Sequence, residues 1–151
     1  LNLKAVASIL DIRYLESIRE REGGSYGVGV SATLTKEPTN KATLSIQFDT
    51  DPEKQEPILA IVYQEISEIV ENGPRSEDLQ KVKEIMLKNF AENLEENKWW
   101  LSALYNNYFN GFNLVDEYKK AVKGINGTTI QTALKNLVQQ GNVIEVTMLP
   151  E

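Results

Sequence analysis

The sequence predicts an α+β fold in which helices pack on one face of a mainly antiparallel sheet. Two early segments alternate apolar and polar residues, as strands do, and one short late segment returns to this alternation. Several segments between them repeat apolar residues at three- and four-residue steps, as helices do. Three strands are few for a sheet, so we expect further strands to lie outside this sequence or in a partner chain. We interpret residues 1–151 as a single domain that lacks its first strand or strands.

The first helix is predicted by an apolar stripe that begins almost at the first residue. The residues of the stripe are Leu3, Val6, Ala7, Leu10, Tyr14 and Ile18. Gly23 and Gly24 follow it, and because glycine adopts positive φ freely, the helix can end there and the chain can reverse. Asn2 is the one residue available to cap this helix, so we expect the chain to be a piece of a longer protein.

The two early alternating segments predict an antiparallel hairpin. The apolar face of its first strand is formed by Tyr26, Val28, Val30, Ala32 and Leu34, and that of its second strand by Ala42, Leu44, Ile46 and Phe48. The polar loop 36–40 joins them and has a length that is usual for hairpins.

Helices are predicted for most of the rest of the chain. Asp51 and Pro52 start one helix, which ends near Gly73, and Ser76 caps the next. The charged residues of the second of these helices predict a solvated face: Glu77, Asp78, Lys81, Lys83 and Glu84. Two shorter helices are predicted over 115–122 and 129–138, and a last strand over 143–149.

An aromatic helix lies between these segments and ends at Gly111. Its large side chains are Trp99, Trp100, Leu104, Tyr105, Tyr108 and Phe109. Their helical spacing favours a place in the core. The alternative is a surface that binds a partner, because tryptophan and tyrosine are enriched at interfaces.

Composition excludes several kinds of function. The sequence has no histidine and no cysteine, so serine–histidine triads, cysteine–histidine dyads and zinc sites built on those ligands are excluded from this chain. A net charge of −6 argues against nucleic acid as a partner. No apolar run is long enough to span a membrane, so we expect a soluble protein, for which the bacterial cytoplasm and periplasm are both plausible.

The segment Arg19-Glu-Arg-Glu-Gly-Gly-Ser-Tyr26-Gly27 joins the first helix to the first strand and offers the best candidate site. One interpretation is purely structural: Arg19 complements the negative end of the helix, and Tyr26 is an ordinary strand aromatic. In the other, the two side chains hold a peptide whose backbone approaches closely beside Gly27.

The spacing of Arg19 and Tyr26 is similar to the Arg-(x6)-Tyr signature in the C-terminal domain of the pitrilysin, insulin-degrading enzyme and mitochondrial processing peptidase family of zinc metallopeptidases. The segments 7–32 and 121–151 also resemble the opening and closing parts of that domain. The resemblance implies a domain that is not catalytic alone and binds no metal. A separate N-terminal half, in the same chain or a partner subunit, would hold zinc on the inverted motif His-x-x-Glu-His.

The resemblance implies that Arg19, Tyr26 and Gly27 bind the peptide substrate, with Arg19 and Tyr26 contacting the transition state. It also leaves a second function open, because the family includes structural or partner subunits that do not cleave peptides.

Overall fold

The computed structural model describes the backbone of residues 1–22 and 27–148, and the side chains of those residues except 19–22. Helix α1 (Asn2–Glu22) leads into strands β1 (Val28–Thr35) and β2 (Lys41–Phe48). A single 3₁₀ turn, Pro52–Lys54, precedes α2 (Gln55–Asn72) and α3 (Ser76–Asn93). The remaining helices are α4 (Asn97–Asn110), α5 (Leu114–Gly124) and α6 (Gly127–Val138).

The two strands form an antiparallel hairpin, which confirms the predicted pairing and its apolar alternation. Val28 pairs with Phe48, and the register continues without interruption to Thr35 and Lys41. The apolar side chains away from the loop are half-buried and pack against the main core, namely Val28, Val30, Leu44, Ile46 and Phe48. Leu34 and Ala42, next to the loop, are exposed, as are the alternate polar residues. Helix α1 packs along β1, so one face of the sheet is covered by helices and the other is open. This is the α+β arrangement that the sequence predicts.

Helix α1 lies at the centre of the fold, where it packs against β1, α2, α3 and α6. It is buried on more than one side, because Ala5, Ile9 and Arg13 are buried as well as the predicted stripe from Val6 onward. The fully buried large side chains from the other helices are aliphatic: Ile58, Ile69, Val82, Val122, Ile130 and Leu134. Burial of an aliphatic side chain of this kind contributes about 1.5–3 kcal/mol. Because these buried side chains pack around α1, the stability of the fold depends on the position of this helix.

The shorter helices are fixed by local caps and one lysine. Asn113 and Asn126 each accept hydrogen bonds from the first turn of the helix that follows, and Asn126 forms a capping box with Thr129. The ammonium group of Lys83 in α3 donates to the carbonyl oxygens of Lys123 and Ile125, each at 2.9 Å. Lys83 was predicted to be solvated, and it instead ties α3 to the turn between α5 and α6.

The predicted strand over 143–149 is wrong for the part that the structure describes, 143–148, which joins no sheet. Ile144, Val146 and Met148 are all more than four-fifths exposed, at 89%, 82% and 92%. Two side-chain hydrogen bonds link the segment to α2: Gln55 donates to Thr147 at 2.8 Å, and the Tyr63 hydroxyl donates to Glu145. A strand requires a neighbouring strand for its backbone hydrogen bonds, and none of the described residues supplies one here.

The core position predicted for the aromatic helix is also wrong for most of its side chains. Trp99 is half-buried against Phe90, but Leu104, Tyr105, Tyr108 and Phe109 are between 51% and 85% exposed. The helix itself forms as predicted and ends at Gly111, which has the positive φ typical of a helix C-terminus. The spacing therefore predicted the helix correctly, but most of its large apolar side chains face outward rather than into the core.

Candidate functional site

The structure places two of the three predicted site residues on adjoining elements. Arg19 lies in the last turns of α1, although its side chain is outside the described part of the molecule. Gly27 is exposed and directly precedes β1, which packs on α1. Tyr26 lies outside the described residues. The proximity of the Arg19 and Tyr26 side chains therefore stays a prediction.

The open face of the hairpin beside Gly27 is small and polar. Gly29, Ser31 and Thr33 on β1 pair with Gln47, Ser45 and Thr43 on β2, and all six are exposed. A β-carbon placed on Gly27 or Gly29 would meet no atom of the described residues within 4 Å, so these residues leave space open above this end of the strand. Hydroxyl and amide groups both donate and accept hydrogen bonds, which suits a polar backbone lying across them.

The orientation of α1 is fixed by a buried ion pair with α2. The Arg13 guanidinium contacts one carboxylate oxygen of Glu65 through two nitrogens, at 2.6 Å from Nε and 2.5 Å from Nη2. The two side chains are only 8% and 7% exposed. The Ser17 hydroxyl donates to the other Glu65 oxygen, so both oxygens of the carboxylate are used. Ion pairs of this kind are stable only when their hydrogen bonds are well satisfied.

Tyr14 adds a further contact between the same two helices. Its hydroxyl donates to the carbonyl oxygen of Val62 at 3.1 Å, and its ring is fully buried. Burial and the nearby Glu65 charge raise the pKa of Tyr14 well above its usual value, so the hydroxyl stays a donor at any physiological pH. The α1 segment 13–17 is therefore held in one rotation about its axis.

The sequence analysis missed Arg13, Ser17 and Glu65, although it contained a signal for the charged pair. Arg13 follows Ile9 by four residues, and Glu65 stands four residues from both Ile61 and Ile69, so each charge interrupts an apolar stripe. Buried charges are nearly always paired. Opposite charges within two buried stripes therefore predict that the two helices are neighbours.

The prediction that Asp78 lies on a solvated face of α3 is wrong, because this residue is only 2% exposed. It lines a small cavity of about 80 Å³ together with Ile9, Arg13, Glu68, Ile69, Gly73 and Arg75. Among the described residues its Oδ2 atom has no hydrogen-bond partner, and Arg75 instead pairs with Glu16 at 3.3 Å. Burial, and then the Glu16 charge, raise the pKa of Asp78, while the Arg75 and Arg13 charges act in the opposite direction.

We expect Asp78→Asn to gain stability relative to the unsubstituted protein as the pH rises. The pKa of Asp78 is higher in the folded state than its ordinary value of 3.8, so the folded state binds this proton more tightly. That stabilisation is complete below the unfolded pKa and is lost as the pH rises through the folded pKa. Asparagine stays neutral and avoids the loss.

The measurement is urea unfolding of both proteins at several values between about pH 4 and pH 7. Glu56→Gln, at an exposed position on α2 and outside the charges that act on Asp78, serves as the control for the loss of one carboxylate and should show a smaller pH-dependent difference. The raised pKa of Asp78 would be contradicted if the free energy of unfolding of Asp78→Asn, relative to that of the unsubstituted protein, stayed constant or fell as the pH rises.

The described residues contain no group of three or more histidine, cysteine, aspartate or glutamate side chains arranged to hold a metal ion. No helix in the same part of the chain is long and apolar enough to cross a membrane.

Comparison with known proteins agrees with the fold and with the resemblance in the sequence. Residues 8–86 match the family model of the peptidase M16 inactive domain. The chain is 26% identical over 108 residues to the zinc protease PQQL-like of Arabidopsis thaliana, an alignment that covers 68% of this chain and 11% of that protein.

Two solved structures have similar folds. The periplasmic protease PqqL from Escherichia coli matches with a TM-score of 0.68 and 16% identity, over 89% of this chain and 15% of that one. A peptidase M16 inactive domain from Pseudomonas fluorescens matches with a TM-score of 0.63 and 17% identity, over 87% of this chain and 33% of that one. Because the family model alone covers more than half of the sequence, the chain belongs to the family of peptidase M16 inactive domains.

Proposed function

We propose that residues 1–151 form one substrate-binding C-terminal domain of a zinc-dependent metalloendopeptidase. The observation that carries this proposal is the match to the peptidase M16 inactive domain, because the matched residues 8–86 include Arg19, Tyr26 and Gly27. The relatives named a zinc protease and a periplasmic protease support a proteolytic parent protein.

This chain's own residues do not suit a zinc site. Zinc in peptidases is held mainly by histidine with a carboxylate, and the sequence has no histidine and no cysteine. We therefore assign zinc to a separate N-terminal domain or partner subunit that carries His-x-x-Glu-His. Bound zinc would supply Lewis acidity and activate water there, and the present chain would contribute only groups that bind and orient the peptide.

Arg19 and Tyr26 are proposed to donate hydrogen bonds to the peptide. Arginine presents several donors in a rigid fork, and a tyrosine hydroxyl is a single neutral donor, so both suit carbonyl oxygens and the oxyanion that develops during hydrolysis. The fixed rotation of α1, set by Arg13, Ser17 and Glu65, would hold Arg19 in position. The small side chains beside Gly27 would let a peptide backbone lie close to β1.

The experiment begins with the gene that encodes these residues, whose full sequence is searched for His-x-x-Glu-His followed by a glutamate. The complete protein is then purified, its zinc content measured, and cleavage of fluorogenic peptides compared with and without a chelator. We expect chelator-sensitive cleavage by the complete protein and none by the 151-residue chain.

A variant with the glutamate of the zinc motif replaced by glutamine is the matched control, and it should bind peptide without cleaving it. A complete protein that carries the motif and zinc but cleaves no peptide would contradict a peptidase. It would favour the alternative, a structural or partner subunit of the same family.

A further inference from the structure

Three asparagine residues of the chain are followed directly by glycine, namely Asn72, Asn110 and Asn126. An asparagine in such a pair can lose its side-chain amide, because the backbone nitrogen of the next residue can attack the side-chain carbonyl carbon. Glycine has no β-carbon to obstruct this attack, and it adopts readily the backbone conformations that ring closure requires. The sequence alone makes the three pairs equivalent, but the structure gives them different environments.

The modification proceeds in two steps. The glycine nitrogen forms a bond to the side-chain carbon of asparagine and pushes an electron pair onto the side-chain oxygen. The intermediate then expels the amide nitrogen as ammonia, which carries away the proton that the glycine nitrogen has lost, and a five-membered succinimide ring remains. Water opens this ring at either carbonyl carbon and gives aspartate or isoaspartate. The protein therefore takes up one water and releases one ammonia, with no oxidation or reduction.

In two of the three pairs, the glycine nitrogen is held in a backbone hydrogen bond. The Gly73 N–H donates to the Ile69 carbonyl oxygen at 3.0 Å. The Gly111 N–H donates to the Asn107 carbonyl oxygen at 3.1 Å. Both asparagines are also the last residues of their helices, α2 and α4. Attack in these pairs must therefore break a helix-end hydrogen bond before the ring can close.

Gly127 differs from these glycines because it begins α6. The first N–H groups of a helix have no acceptor within that helix, and the Gly127 N–H donates to none of the described residues. The partial positive charge at the start of a helix stabilises a nitrogen that has lost its proton. Asn126 is exposed at the N-cap position, so water can reach the ring that forms there.

The cap of α6 also stabilises the oxygen that gains charge during the attack. The Thr129 N–H donates to Oδ1 of Asn126 at 3.0 Å. A fixed backbone donor of this kind interacts more strongly as negative charge develops on the oxygen. The leaving nitrogen is held less firmly, because its contact with the Gly124 carbonyl oxygen is 3.5 Å long. We propose that Asn126 is a site of spontaneous deamidation, in which Gly127 supplies the attacking nitrogen and the start of α6 promotes the reaction.

The two products should affect the fold differently. Aspartate keeps an oxygen at the N-cap position and adds a negative charge where the helix dipole favours it. Isoaspartate lengthens the main chain by one carbon, so the capping box with Thr129 is lost. Because α6 contributes Ile130 and Leu134 to the core and packs against α1, isoaspartate should weaken the packing of these two helices.

The test is peptide mapping by mass spectrometry of the complete protein, after incubation in the folded state at mildly alkaline pH. Trypsin places the three pairs in separate peptides, 55–75, 99–119 and 124–135. Asn126 should deamidate at least about tenfold faster than Asn72 and Asn110, the scale that one to two hydrogen bonds supply. In urea, where the helices are unfolded, the three rates should converge.

Gly127→Ala is the matched variant, because a β-carbon at this position would meet only the Pro74 Cδ atom within 4 Å, at an ordinary contact distance of 3.9 Å. It places a methyl group beside the attacking nitrogen, so most of the deamidation of Asn126 should be lost, while Asn72 and Asn110 react as before. Deamidation of Asn72 or Asn110 as fast as that of Asn126 in the folded protein would overturn the proposal. It is also overturned if Asn126 reacts in urea but stays intact in the folded protein.

Discussion

Replacing Glu65 with alanine is expected to lower the free energy of unfolding by about 3–5 kcal/mol, the usual cost of removing one partner from a buried ion pair. The substitution leaves the Arg13 guanidinium, which is only 8% exposed, without a counter-charge between α1 and α2. It also removes the acceptor of the Ser17 hydroxyl. Urea unfolding followed by circular dichroism measures the change.

The matched control is Glu92→Ala, which breaks a surface ion pair with Lys88 whose side chains are 75% and 64% exposed. Surface pairs of this type contribute about 0–1 kcal/mol, so the control should unfold close to the original chain. The double variant Arg13→Met/Glu65→Leu should recover much of the loss, because it removes the unpaired charge and keeps the volume. A loss below about 1 kcal/mol in Glu65→Ala would contradict a desolvated pair.

Replacing Tyr26 with phenylalanine in the complete zinc-bearing protein is expected to lower kcat by about 100-fold or more, the usual effect of losing one oxyanion donor. The substitution removes a single hydroxyl and keeps the ring, so the fold should be unchanged. Because the proposed hydrogen bond strengthens as charge develops on the substrate oxygen, kcat should fall much more than KM rises. Steady-state cleavage of a fluorogenic peptide gives both constants.

Tyr63→Phe is the control for this measurement. Tyr63 lies on α2, is 40% exposed and donates its hydroxyl hydrogen to Glu145, and it belongs to neither of the elements beside which Arg19 and Gly27 lie. Its kcat should stay within about twofold of the original value. Unchanged turnover in Tyr26→Phe would remove Tyr26 from the mechanism.

The sequence predicted most of the helices and strands correctly, because their apolar spacing and their stop signals depend only on residues within the same segment. The apolar stripe of α1, the alternation of β1 and β2 and the Asn72–Pro74 stop after α2 depend on neighbours a few residues away. The boundaries of α5 and α6 were predicted to within two residues for the same reason. The Arg-(x6)-Tyr spacing also pointed to the correct family. The distance between the Arg19 and Tyr26 side chains stays a prediction.

The predictions that failed depend on partners distant in sequence. Periodicity showed that α4 is a helix, but not whether Tyr108 and its neighbours face the core or the surface. Alternation over 143–148 is typical of a strand, but a strand forms only where another lies beside it. Arg13 and Glu65 are 52 residues apart, and no local pattern reports such a contact directly.

The central place of α1 has a consequence for how the chain is made. The ribosome completes α1 before the other elements of this fold, and α6, against which α1 packs, begins about a hundred residues later. At about 5–20 residues per second, the part of the apolar surface of α1 that α6 covers stays exposed for roughly 5–20 seconds. During that interval the nascent helix is a natural substrate for chaperones that bind apolar segments. Contacts between the first and last helices also raise the contact order, which slows folding after release.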